Sequence, residues 1–155
     1  MSELRSIELA IELATRKRDE FAKAVARVEK TLQFAQNQMN QLEGYAAETD
    51  ARWIRSGSEG RSVEMLRHHY QFMERLQHAI GLQSGVITNT GLQVESAKRV
   101  LLQAEYRLAG LNQVLKTRQS DLVLVERRRE QRQTDEFAAM LHARKTHPSR
   151  TGELP

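Results

Sequence analysis

The sequence predicts an all-α protein: an antiparallel two-helix coiled-coil hairpin with a protruding C-terminal helical segment. Three observations carry that expectation. Apolar residues recur at alternating steps of three and four over two long stretches. Both prolines, Pro148 and Pro155, lie at the C-terminal end, so no imino ring interrupts a helix before them. A glycine- and serine-rich break, "RSGSEGRS" at 55–62, separates the two stretches.

The first stretch runs through Leu4, Ile7, Ile11, Ala14, Arg18, Phe21, Val25, Val28, Leu32, Ala35, Met39, Leu42, Ala46, Thr49 and Trp53. Only Arg18 and Thr49 are polar. A 3.5-residue repeat held over about seven heptads specifies a left-handed supercoil rather than an isolated amphipathic helix. The break follows, and Ser62 offers its hydroxyl as an N-cap for the second helix. Trp53 is read as packing that closes the loop end.

The second seam runs from Leu66 through His69, Met73, Leu76, Ile80, Gln83, Ile87, Thr90, Val94, Ala97, Leu101, Ala104, Leu108, Leu111, Leu115, Arg118 and Leu122 to Val125. Four of these positions are polar. Gly81, Gly85 and Gly91 each cost a helix about 1 kcal/mol relative to alanine, so 81–92 is its weakest part. A short connection between two seams makes the helices antiparallel neighbours. Folding the chain about Glu59 sets Leu4 near residue 114. The expected organisation is one hairpin domain over 1–145 (helix 3–54, loop 55–62, helix 63–144) and a disordered tail over 146–155. From Leu115 to about Arg144 the second helix has no intramolecular partner, so it protrudes as a basic single helix or frays.

Composition excludes several classes. The absence of cysteine removes disulfides and thiolate metal sites. No apolar run approaches the roughly 20 residues of a membrane span. The acidic residues near the N-terminus and the lack of an apolar core there argue against a signal peptide. Aromatics at 5% and charged residues at 28% suit a solvated coiled coil. The net charge of +4 is mixed in sign along the chain, which weakens a nucleic-acid reading.

No catalytic constellation stands out, and the expectation is a protein that is not an enzyme and takes no cofactor. The five histidines offer only the helical pairs Glu64–His68 and Glu74–His78, two ligands at most in each, and no metal site is expected. His147 precedes Pro148 in the expected tail. No phosphate-binding glycine loop is present. The cluster Arg127, Arg128 and Arg129, flanked by Glu126 and Glu130, reads either as a solvated helix face or as a protein-binding one. Without interleaved aromatics to stack on bases, nucleic acid is not the expected partner. In "YQFMERLQHAI" (70–80), Phe72, Leu76, Ala79 and, beyond it, Gln83 follow an i, i+4, i+7, i+11 line. That line is either a broad seam or a protein-docking stripe.

Three segments carry a resemblance to the FliJ family of flagellar type III export proteins. They are "LAIELATRKRDEFAKAVARVEKTL" with the downstream "QLEGYAAETDARW", then "YQFMERLQHAI", and finally "EQRQTDEFA". The last is similar to a closing Q-x-x-x-D-E-x-A pattern at Gln131, Asp135, Glu136 and Ala138. The resemblance extends to about Arg144. It implies a coiled coil that looks like the central stalk of a rotary ATPase, with the end formed by its termini entering the hexameric flagellar export ATPase. Arg127, Arg128, Arg129, Gln131, Asp135, Glu136, Phe137 and Ala138 belong to that end. It also implies binding to the cytoplasmic domain of the export gate protein, at positions matching Phe72, Leu76, Ala79 and Gln83. At Gln83 the family often has histidine. Export chaperones are further implied partners. The implied location is the cytoplasmic side of the inner membrane, with membrane contact only through protein partners. An equivalent stalk of a virulence secretion system and a generic self-associating coiled coil are the alternative functions.

Overall fold

The computed structural model describes residues 2–57 and 60–146. Ser58 and Glu59 of the expected loop, and all of the expected tail beyond Thr146, including His147, lie outside the described residues. Two helices account for nearly everything else. Helix α1 spans Ser2–Arg55 and α2 spans Val63–Thr146, with no strand among the described residues. They pack against each other as an antiparallel helical hairpin.

The helix ends follow from local chemistry. Helix α1 has Glu3 in its first turn and Arg52 and Arg55 in its last. Helix α2 has Glu64 first and Arg144 and Lys145 last. Both patterns place charge favourably against the helix dipole. After Arg55 the amide of Ser56 still bonds to the Arg52 carbonyl. Gly57 then takes φ +74°, a left-handed conformation suited to a residue without Cβ, and closes the turn. Ser62 caps α2 as expected: its hydroxyl accepts the Met65 amide at 3.1 Å.

Contacts divide the chain into two units. One is Ala14–Arg107, made of the segments of α1 and α2 that flank the break. Its seam holds Ala14, Val25, Ala35, Ala46, Leu76, Thr90 and Val94, each buried. The intervening heptad positions are half-buried, from Phe21 to Trp53 on α1 and from His69 to Ala104 on α2. No large side chain among the described residues is completely buried. A two-helix interface has depth on only one side, so burial stops at the seam.

Leu66 departs from the expected seam: it is exposed, and His69 is the first covered position of α2. The physical reason is at the loop. The Trp53 ring stacks on the His69 ring with centroids 3.9 Å apart and 2° between planes. The Arg61 guanidinium lies 3.8 Å from the Trp53 ring centroid. It also donates to the Trp53 carbonyl and to the Ser56 hydroxyl. This stack ends the seam one heptad step before Leu66. Trp53 therefore packs and closes the loop end, as the sequence indicates.

Three polar seam positions of this unit, Arg18, Gln83 and Thr90, have side-chain partners. Gln83 donates from Nε2 to the Ala35 carbonyl at 2.9 Å and to Gln38 Oε1 at 3.2 Å. Pairing residue 35 with residue 83 reproduces the register expected from the sequence. The Thr90 hydroxyl, buried, donates to the Val86 carbonyl at 2.8 Å. Arg18 turns to Asp19, and Lys98 reaches across to Glu29 at 3.4 Å. The glycines at 81, 85 and 91 do not break α2, and a Cβ at any of them would meet nothing within 4 Å.

The second unit joins Met1–Leu13 to Leu108–Pro155. Within it Leu4, Ile7 and Ile11 on α1, and Leu108, Leu111 and Leu115 on α2, are half-buried. Arg118 Nη1 lies 2.8 Å from Glu3 Oε1, a surface ion pair at the last turn of α2 that has an α1 partner. From Lys116 to Thr146 every residue is exposed, although the segment is helical throughout. Leu122 and Val125 of the expected seam are exposed, beyond the Arg118–Glu3 pair.

Candidate functional site

Two surfaces correspond to the sequence-derived residues, one in each unit. In the unit Ala14–Arg107, the α2 stripe is not uniformly exposed. Leu76 points into the seam and is 8% exposed. Ala79 is half-buried on the shoulder. The Gln83 amide is engaged by α1 through Ala35 and Gln38. Phe72 is the exposed member, 38% accessible. Its ring meets the Tyr45 ring of α1 edge to face, with centroids 5.9 Å apart and 77° between planes. Edge-to-face contact is the geometry aromatic quadrupoles favour.

Tyr45 belongs to this surface and was not among the sequence-derived site residues. The signal was available: in the expected register, residue 45 lies beside 72 and 73. Gln38, Gln41, Leu42, Tyr45 and Gln83 line a shallow groove of about 400 Å³ next to the aromatic pair. The resulting surface is composite, drawing on both helices, and presents aromatic edges with amide groups beside them. It has no charged lining residue and holds no arrangement of nucleophile and base.

In the second unit, Arg127, Arg128, Arg129, Gln131, Asp135, Glu136, Phe137 and Ala138 all lie on the exposed part of α2. Arg127, Gln131 and Asp135 stand at i, i+4 and i+8 and share one face, with Glu130 and Thr134 alongside. None of the three arginines has an ion-pair partner among the described residues, although Glu126 and Glu130 are adjacent in sequence. Their charges remain available to a partner. Phe137 and Met140 are more than half exposed, at 61% and 55%. Upstream, Leu122, Val123, Leu124 and Val125 put apolar side chains around the helix circumference, all exposed.

The histidine pairs form no ion pair with Glu64 or Glu74, and no group of three potential metal ligands occurs among the described residues. No helix among the described residues is long and apolar enough to cross a membrane.

The chain matches the family model described as "Flagellar FliJ protein" over residues 5–147. No match was found among curated proteins or among solved structures. The family match takes in both surfaces, the loop and nearly the whole hairpin. The chain belongs to the FliJ family, the coiled-coil proteins of flagellar protein export.

Proposed function

We propose that this protein is the stalk-like component of flagellar type III export. In this reading the C-terminal end of α2 engages the hexameric export ATPase, the Phe72 surface docks on the cytoplasmic domain of the export gate, and export chaperones are handed over on the hairpin. It works on the cytoplasmic side of the inner membrane and reaches the membrane only through these partners. Its role is to connect partners rather than to catalyse.

One observation supports this reading most. Beyond Arg118, which pairs with Glu3, helix α2 continues to Thr146 exposed throughout and with Arg127, Arg128 and Arg129 without ion-pair partners among the described residues. A single helix entering a six-subunit ring cannot match all subunits simultaneously, so many weak charged contacts suit it better than one deep interface. A second reading has its own observation: the exposed run Leu122–Val125 is apolar enough to drive self-association.

The test is a pull-down with the purified export ATPase hexamer, comparing the full chain with a chain ending at Val125. The full chain is expected to be retained and the truncated one largely lost, with circular dichroism showing the hairpin still helical. Full-length binding is expected to weaken as salt rises past about 0.15 M, where the Debye length is about 8 Å. Undiminished retention of the truncated chain refutes the assignment of this end. A dimer of the full chain in light scattering, together with no retention on the ATPase, favours self-association.

A further inference from the structure

A different surface of the unit Ala14–Arg107 remains unassigned. Ala14, Lys17 and Phe21 of α1, with Val100, Gln103, Ala104 and Arg107 of α2, line a groove of about 400 Å³. Its origin is local. Ala14 and Ala104 are seam positions that meet in the expected register, and two methyl groups leave a dip where larger residues fill the seam elsewhere. Phe21 and Val100 form apolar walls, and Val100 is 38% exposed.

The rim is charged with one sign only. Lys17 and Arg107 stand on opposite helices, and no carboxylate lines the groove. Neither cation has an ion-pair partner among the described residues. By contrast, Lys98 and Arg18 on the same helices have carboxylate partners in Glu29 and Asp19. An apolar floor between two uncompensated cations is complementary to a helix with an apolar stripe and carboxylates along both margins.

We propose that this groove is a docking site for an acidic amphipathic helix of a partner protein. The inference goes beyond the stalk reading and does not depend on it. The apolar stripe of the partner seats against Ala14, Phe21, Val100 and Ala104, and its flanking carboxylates reach Lys17 and Arg107. The third helix turns a two-helix seam locally into a three-helix one.

The probe is a fluorescein-labelled helical peptide of five turns, about 18 residues, with leucine at i, i+3, i+4 and i+7 spacing and glutamate on both margins. Anisotropy is measured on the full chain. The peptide is expected to bind, and a scrambled peptide of identical composition is expected not to. Lys17→Glu with Arg107→Glu is expected to weaken binding about tenfold, from two exposed charge pairs turned repulsive. Lys23→Glu with Lys30→Glu, an equal change of net charge elsewhere, is expected to change it less than about threefold. A peptide with lysine margins is expected to bind the Lys17→Glu, Arg107→Glu variant better than it binds the wild type. Absence of binding, equal binding of the scrambled peptide, equal weakening by the control pair, or failure of the charge swap would each overturn the proposal.

Discussion

Replacing Phe72 and Leu76 separately distinguishes docking from folding. The two residues are one helical turn apart on α2, but their surroundings differ. Leu76 is buried in the seam at 8% exposure, so Leu76→Ala removes a covered isopropyl group. Core truncations of this kind cost about 2–5 kcal/mol, and a seam open on both flanks can partly collapse, so about 2–3 kcal/mol is expected. Phe72 keeps 38% of its surface exposed, and its defined contact is the Tyr45 edge at 5.9 Å. Losing such a pair costs about 0.5–1.5 kcal/mol. Thermal melts by circular dichroism should therefore show a large loss for Leu76→Ala and a small one for Phe72→Ala. Titration calorimetry with the cytoplasmic domain of the export gate should show the reverse order. An exposed aromatic that anchors an interface is worth about 2 kcal/mol, or roughly thirtyfold in Kd. Measured well below its melting transition, Leu76→Ala should bind within about threefold of wild type, because its side chain is not available to a partner. If Phe72→Ala folds normally and binds the gate with unchanged affinity, the docking surface is elsewhere. If Leu76→Ala retains its melt and loses binding, the placement of Leu76 in the seam is refuted.

Other perturbations follow from the same geometry. Gly81→Ala with Gly85→Ala should stabilise α2 by about 1–2 kcal/mol, since both positions are helical and open; a lower melting temperature would show that 81–92 needs its softness. Gln83→Leu should be neutral within about 1 kcal/mol, because the Ala35 carbonyl keeps its own helical hydrogen bond, and a larger loss in denaturant titration would show that the cross-helix amide matters more than the geometry indicates. Arg61→Ala should cost about 1–2 kcal/mol by removing the cation from Trp53 and the donors from the Trp53 carbonyl and Ser56, read as an earlier melt with increased Trp53 fluorescence mobility; an unchanged melt would refute a closing role for that stack.

The heptad pattern determined the fold because a two-helix seam has one dimension: once the 3.5-residue repeat and the break were located, the covered positions followed. Every α1 seam position from Leu4 to Trp53 is covered, as is the α2 seam from His69 to Leu115. The hydroxyl of Ser62 and the left-handed Gly57 were equally local matters, decided within one turn of chain. The limits of the seam were less legible. Leu66 continues the heptad pattern, but Trp53, His69 and Arg61 occupy the closing layer, and periodicity carries no information about a side chain reaching back from the loop. Polar seam residues were visible in sequence, yet their partners were not, because Gln83–Ala35 and Arg118–Glu3 join residues distant along the chain. The same holds for the functional surfaces. The exposed C-terminal run followed from the unequal lengths of the two helices, whereas Tyr45 beside Phe72, and Lys17 facing Arg107 across two alanines, exist only once the helices are set in register. Helix periodicity fixes which side of each helix is covered; tertiary packing fixes which side chains from the two helices become neighbours.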